Sequence, residues 1–403
     1  MAPLRVTPLR AVPFNAARPD DAPLAAMPIE QFMRQYWQRE PLLIRAALPD
    51  FVAPIDRKEL AKLAANEDVE SRLLRRHGDQ WTLQHGPFAR LPSRQQSDWT
   101  VLVQGVDLHL HAAHELLRRF RFVGDARLDD LMISLAGDGG GVGPHYDSYD
   151  VFLLQASGQR RWRIGATGYP DKLPALVDNL PLKIIKSPKF TATYDLVAGD
   201  ILYLPPGWAH DGVAIGGECI TYSIGFRSPS RLELVQAWLV DWAEQAHGAD
   251  ARYVDAGAAA TLTPGALPEP MALQMTQWLA QLRPSSQQLA RFIGCYLTEP
   301  KANVWFARPA IEPSFQRWCE KALRDGLTLD RKTRALYRSR QVYINGERSK
   351  LPCTATARLL VNARTLSSVK VQAAFRNDLF AREMHRWWTL GWLRFHNVQS
   401  HPC

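Results

Sequence analysis

Three side chains in this sequence could hold a metal ion with open positions. His145 and Asp147 lie two residues apart in the segment GGGVGPHYDSYDVFLLQASGQRRWRIG, and His210 ends GDILYLPPGWAH, 65 residues beyond His145. Residues i and i+2 of an extended strand point the same way, so His145 and Asp147 can face one cavity. Two imidazoles and one carboxylate on one face leave three positions of an octahedron free. That donor set suits non-haem iron(II), which must take a chelating co-substrate and then dioxygen. A structural zinc would want four protein ligands and no vacancy. The second segment adds a pattern, G-x5-P-x-G-x2-H, at Gly199, Pro205, Gly207 and His210. An HxD pair or a single histidine is commonplace, and it is the order and spacing of the two segments together that predict a catalytic metal site at His145, Asp147 and His210.

A 2-oxoglutarate molecule on such a metal would need a cation for its far carboxylate, and arginine offers a planar fork for it. Arg160, Arg161 and Arg163 all sit on the run RRWRIG. On a regular strand Arg160 points oppositely to the other two, and the sequence does not say which face is inward.

The elements that must position these residues are short strands. LMISLA, DVFLLQA, RRWRIGA, ATYDL, DILYLP and ECITYSIGF are rich in β-branched and aromatic residues and are separated by Gly, Pro and Asp. Between residues 129 and 227 they suggest a sandwich or barrel rather than a parallel βαβ sheet. Before them, Ile29, Phe32, Met33, Tyr36 and Trp37 form one helical stripe suited to core packing, and WTLQH alternates like a strand after a Gly78-Asp79 turn. After Pro229 the period becomes helical, with Leu232, Val235, Leu239 and Trp242 recurring on RLELVQAWLVDWAEQA. A loop rich in Ala, Gly and Pro follows around 256–270, then the helical runs TQWLAQL and SSQQLARFIGCYL. In the last hundred residues Asn345-Gly346 sits between two short strands, a hairpin signal, flanked by helical patterns. Helices with a hairpin suggest a winged-helix-like module.

Composition narrows the class. Hydrophobic residues make up 46% of 403, as in an ordinary globular chain of more than one domain. No apolar run is long enough for a membrane helix, and the proline-rich start MAPLRVTPLRAVPF reads as a loose arm rather than a secretory signal. The five cysteines show no CxxC pair, which argues against a zinc site or a disulfide framework and fits a reducing cytoplasm. The net charge of +9 is uneven: residues 301–403 hold 19 Lys+Arg against 7 Asp+Glu, and the remainder is slightly acidic. That basic segment is a candidate for contact with RNA, or simply a solvated surface.

On these residues the chain resembles the Jumonji-C (JmjC) branch of the cupin-fold 2-oxoglutarate oxygenases. Within it, the chain is most similar to the bacterial ribosomal oxygenases that hydroxylate an arginine of large-subunit (50S) ribosomal protein L-16. The likeness extends through YWQREPLLIR, ESRLLRRHGDQWTLQHGPF, DDLMIS, AGDILYLPPGWAHDG and YSIGFRSP, spanning about residues 30–230; beyond 230 it is one of layout. It implies a mainly β fold with helices, a double-stranded β-helix (cupin jelly roll) over residues 1–228. A helical dimerisation region at 229–300 and a basic winged-helix-like domain at 301–403 would follow. It implies iron(II) on His145, Asp147 and His210, the distal carboxylate of 2-oxoglutarate on Arg160, and Ser134 lining the co-substrate site. The implied reaction consumes dioxygen and places a hydroxyl on the β-carbon of an arginine in L-16, in the cytoplasm, with a homodimer as the working form. Asp138 departs from the family's glycine-rich entrance loop and is a candidate to attract the substrate guanidinium; Tyr149 and Asp150 are further candidates at the mouth. Two alternatives use the same residues differently: a JmjC-type hydroxylase or lysine demethylase acting on another basic protein, or a non-enzymatic regulatory cupin.

Overall fold

A computed structural model of the chain describes residues 11–12, 24, 27–48, 51–78, 80–167, 174–178, 180, 182–245, 252–256, 265–280 and 283–396. It divides into two compact units, 1–228 and 229–403. Most of the N-terminal arm, Asp79 of the expected turn and much of the 256–270 loop lie outside the described residues.

The first unit is built on one ten-stranded hydrogen-bonded sheet. Its strands are β1 (Ala11–Val12), β2 (Leu42–Ile44), β3 (Ser71–His77), β4 (Gln80–His85), β5 (Trp99–Val103), β6 (Leu128–Ala136), β7 (Val151–Thr167), β8 (Phe190–Leu196), β9 (Ile201–Leu204) and β10 (Trp208–Phe226). Their order is β1-β2-β9-β7-β10-β6-β5-β3-β4, with β8 also paired to β7. The runs DVFLLQA and RRWRIGA, which read as two strands, are the two halves of β7. Its first half pairs with β9 and its second with β8, while β10 runs antiparallel to it throughout. Two long bent strands serving both halves of the sheet are what the double-stranded β-helix expectation requires.

Side-chain parity separates two cores. Phe152, Leu154 and Ala156 of β7 face outward, into a large core completed by α1 (Ile29–Gln35), α2 (Arg57–Ala64) and α3 (His111–Arg118). The helical stripe expected from sequence is there: Phe32 is fully buried, and Ile29, Met33, Tyr36 and Trp37 pack around it. Val151 and Leu153 face the other way, into a smaller interior core with Leu43, Leu196, Leu202 and Leu204. Trp162 and Ile164 join that same interior core, so inward residues are odd-numbered before the middle of β7 and even-numbered after it. The switch falls near Gly158, whose φ of +65° favours glycine, and the register with β10 shifts opposite it, between Ile215 and Ile220. A β-carbon at Gly158 would lie 2.4 Å from the carbonyl oxygen of Glu218.

The second unit contains α4 (Arg231–Gln245), α5 (Glu269–Ala280), α6 (Ser286–Thr298), α7 (Phe315–Asp325), α8 (Ala355–Ala363), α9 (Ser368–Ala374) and α10 (Asp378–Thr389). Two small sheets accompany them. One holds β11 (Leu327–Leu329), β15 (Thr365–Leu366) and β16 (Leu393–Phe395), and the other β12 (Ala335–Arg338), β13 (Gln341–Ile344) and β14 (Glu347–Pro352). Asn345 and Gly346 have φ of +46° and +84°, and they turn β13 into β14 as the sequence signal required. Trp318, Trp387, Trp388 and Trp392 anchor the core of this unit. No helix among the described residues is long and apolar enough to cross a membrane.

Candidate active site

His145, Asp147 and His210 converge. One ligand atom from each lies within 4.8 Å of the others, and His210 Nε2 is 3.6 Å from Asp147 Oδ2. The backbone holds them. His145 N donates to His210 O at 2.9 Å, His210 N returns the bond to His145 O at 2.8 Å, and Gly207 N donates to Asp147 O at 2.7 Å. The G-x5-P-x-G-x2-H segment thus clamps both ligand stretches together. Each imidazole Nδ1 lies 2.8 Å from a carbonyl oxygen, that of Gly143 for His145 and of Trp208 for His210. A carbonyl only accepts, so Nδ1 carries the proton in both rings and Nε2 is left with its lone pair toward the third ligand. Burial, and then the neighbouring His145, push the pKa of His210 down to about 4. The neutral form that a metal needs is therefore the form the fold favours near neutral pH. Two nitrogens and one carboxylate on one side, with no fourth protein donor in the cluster among the described residues, fit iron(II) with open positions.

Arg160 settles the question of face. It is 2% exposed, whereas Arg161 and Arg163 point outward and pair with Asp195 and Asp211. The Arg160 guanidinium donates to Ser134 Oγ at 2.8 Å, Thr221 Oγ1 at 3.2 Å and Gly212 O at 3.4 Å. All three acceptors are neutral, and Nε is buried with no partner. A buried cation without a carboxylate, and with one donor idle, fits the terminal carboxylate of a dicarboxylic ligand. Trp162 spans the gap: its ring is 5.4 Å from the Arg160 guanidinium and 5.9 Å from the His210 ring. Thr221 also donates to Gln155 Oε1 at 2.9 Å, so Ser134, Gln155 and Thr221 form a buried polar lining around the cation. Sequence reasoning named Ser134 through family likeness but missed Thr221, Gln155, Gly212 and Trp162. Strand parity would have found Trp162, two residues from Arg160 on the same face.

The remaining expected residues separate. Asp138 lies exposed in the glycine-rich loop, its Oδ1 accepting from Gly217 N at 3.3 Å. Gly140 lets that loop pass over β5, since a β-carbon there would lie 2.1 Å from Trp99 O. Tyr149 is 39% exposed at the site, yet its hydroxyl end turns inward, where burial and then the Asp147 carboxylate push the phenol pKa up. Asp150 is not at the mouth. It is fully buried, accepts from Tyr203 Oη at 2.6 Å and Gln38 Nε2 at 3.0 Å, and pairs with Arg127 at 2.9 Å. The parity of β7 directs it to the outer core, and both its oxygens are already used. The expectation that it meets a substrate is corrected: Asp150 ties α1 and its following turn to the sheet.

With this geometry in view, comparison with known proteins is specific. Residues 115–234 match the JmjC domain model, and residues 277–394 match the ROXA-like winged helix. The Escherichia coli (strain K12) ribosomal protein uL16 3-hydroxylase is 34% identical over 327 residues, covering 80% of this chain and 85% of that protein. The chain belongs to the JmjC-domain ribosomal oxygenases. A probable ribosomal oxygenase of Haemophilus influenzae is 37% identical over 51% of each chain. Among solved structures, that of E. coli YcfD, a ribosomal oxygenase, in complex with cobalt and 2-oxoglutarate matches with a TM-score of 0.78. It is 28% identical, over 92% of this chain and 99% of that one. The fold of this oxygenase is therefore a JmjC cupin with a winged-helix domain in its C-terminal unit, and His145, Asp147 and His210 form a cluster that could hold a metal ion.

Proposed function

We propose that this oxygenase depends on iron(II) and 2-oxoglutarate and hydroxylates the β-carbon of an arginine in ribosomal protein uL16 (L-16 of the 50S subunit). The observation that carries the reading is one barrel interior holding a three-ligand metal face and a buried arginine with no carboxylate of its own. Iron(II) with 2-oxoglutarate and dioxygen supplies the oxidising power, yielding succinate, carbon dioxide and a hydroxylated carbon. The protein's part is positioning. His145, Asp147 and His210 hold the metal with one face open. Arg160, steadied by Ser134, Thr221 and Gly212, fixes the far end of the co-substrate. Trp162 closes the gap between them against water. The name of the E. coli relative supports uL16 and the 3-position. Tyr149, beside the Asp147 carboxylate, borders the opening that a substrate side chain would enter. Asp138 is bonded to Gly217 near the opposite end of β6, which does not favour the role in guanidinium attraction that the sequence suggested for it.

The same reading includes a homodimer, RNA contact by the basic C-terminal unit, and work in the cytoplasm. For the dimer, support comes from α4: Leu232, Val235 and Leu239 are 65%, 47% and 43% exposed on one helical stripe, which a second copy would cover. The test is mass spectrometry of uL16 after incubation with enzyme, iron(II) and 2-oxoglutarate. One added oxygen on an arginine, lost with His145→Ala, is expected. Succinate release without any change in uL16 would refute the substrate, and unaltered turnover by His145→Ala would refute the metal site.

A further inference from the structure

Several carboxylates of the second unit are already paired with cations. Asp325 pairs with Lys321 and Arg324, each at 2.8 Å, and Asp378 with Arg382 at 2.6 Å. Asp330 pairs with Arg394, and Arg386 takes both Glu347 and Glu383. On the strands β12, β13 and β14 and the start of α8 the balance is basic: the one carboxylate there, Glu347, is turned to Arg386. Arg338, Arg340, Arg348, Lys350 and Arg358 are all exposed there, and none has an acidic partner among the described residues. Among the described residues their side-chain hydrogen bonds go to neutral acceptors: Arg348 Nε donates to Gln341 Oε1 at 2.7 Å, and Arg358 donates to Ser339 O at 3.0 Å and to Cys353 Sγ at 3.4 Å.

The arrangement is dictated by the strand. Ser349 and Leu351 of β14 point into the core, so Arg348 and Lys350 share the outer face. Residues so placed are about 7 Å apart, close to the spacing of successive phosphates along a nucleic-acid strand. Beside them runs a groove of about 390 Å³ lined by Arg340, Gln341, Arg348, Lys350 and Leu379. At the adjoining turn the Arg358 guanidinium lies 5.4 Å from the centre of the half-exposed Tyr337 ring, a flat surface on which a base can stack. Four of the five cations are arginines, whose planar forks match phosphate oxygens bidentately.

We propose that this face, from the β12–β13 turn across β14 to the start of α8, is an RNA-docking surface that grips the phosphate backbone. The inference rests on the reading above that the basic unit meets RNA, and it names where. Its test uses the full-length protein and a short fluorescein-labelled RNA hairpin, with anisotropy read across a salt series. The variant Arg340→Gln/Arg348→Gln/Lys350→Gln neutralises the groove without touching the oxygenase unit. At about 0.7 of salt slope per phosphate contact, it should lower the slope by about 2 and weaken binding roughly a hundredfold near 0.1 M salt. Arg324→Gln/Lys370→Gln/Arg382→Gln removes the same charge elsewhere in the unit and should leave affinity unchanged. Both variants should keep the thermal midpoint of the parent and its hydroxylation of a short uL16 peptide. If the parent binds no RNA, the reading of the whole unit falls. If the parent binds and both variants weaken equally, net charge is responsible and this face is not. Displacement of the RNA by polyglutamate at equal charge would show a surface that reads acidic protein, and would overturn the RNA assignment.

Discussion

Replacing Arg160 with methionine should separate ligand binding from folding, because binding depends on the guanidinium far more than folding does. In the ligand-free protein the cation is 2% exposed and faces only neutral acceptors. Burying a charge without a counter-ion costs several kcal/mol, while hydrogen bonds to a charged group return about 1.5–3 kcal/mol each. Gly212 O at 3.4 Å contributes weakly, so two good bonds roughly offset the desolvation. The ligand-free thermal midpoint should therefore move by only a few degrees, in either direction. Binding has no such cancellation. A carboxylate docked on the fork, with Nε taking up its missing partner, is a buried charge pair. Deleting one side of such a pair costs about 3–4 kcal/mol, or two to three orders of magnitude in affinity. Calorimetric titration of 2-oxoglutarate into manganese(II)-loaded, oxygen-free protein measures it directly. Arg160→Lys, which keeps the charge but loses the fork, should fall between. An affinity for 2-oxoglutarate in Arg160→Met within a few-fold of the parent would refute the assignment of Arg160, and so would a large fall in the ligand-free midpoint alone.

Three further outcomes follow from the same geometry. The folded pKa of His210 is pushed down from 6.5 to about 4, so the unfolded chain takes up this proton first as the solution is acidified. Metal-free protein should lose up to about 3 kcal/mol between about pH 6.5 and 4, seen in urea melts; an identical pH slope in His210→Asn would contradict this. Asp150→Asn should lower stability by about 2–4 kcal/mol through its lost pairing with Arg127, with 2-oxoglutarate affinity untouched; a weakened affinity at unchanged midpoint would return Asp150 to the site. Gly158→Ala adds a β-carbon against Glu218 O at positive φ, and should cost about 3 kcal/mol. It should also weaken 2-oxoglutarate binding, since the parity switch that turns Arg160 inward lies there; a midpoint equal to the parent's would show the bulge to be dispensable.

The legible and illegible parts of the sequence differ in kind. The HxD pair and the distant histidine were readable because each motif carries its own local geometry. An extended i, i+2 pair and a Pro-x-Gly turn fix where their side chains point whatever else the chain does. The Asn345-Gly346 hairpin was readable for the same reason, as its two positive φ angles are a local demand. The direction of Arg160 was not readable from the strand alone. An unbroken alternation starting at Leu153 would turn Arg161 inward and leave Arg160 outside. Only the bulge around Gly158 reverses that, and a bulge is known by its partner strand, 60 residues away in sequence. Asp150 failed similarly. Its nearness to His145 in sequence suggested the mouth, but one step along β7 carries a side chain through the sheet to the other core.

These failures bear on how the site works. His210, Gly212 and Thr221 all lie on β10: the first faces the metal position, and the other two accept from Arg160. Arg160 and Trp162 lie on β7, which leads directly from the loop carrying His145 and Asp147. The metal face and the carboxylate cradle are therefore two stretches of one strand pair rather than separate sites on a scaffold. The register shift between Ile215 and Ile220 lies between Gly212 and Thr221, so the two β10 acceptors that meet Arg160 come from opposite sides of it. A one-residue slip in that pairing would not weaken the cradle by degrees. It would exchange Arg160 for Arg161 and replace a cation inside the barrel with one that already has Asp195 outside it. On the proposed reading the glycine that stores the bulge thus sets co-substrate recognition as firmly as the arginine does, although it touches neither end of the ligand position.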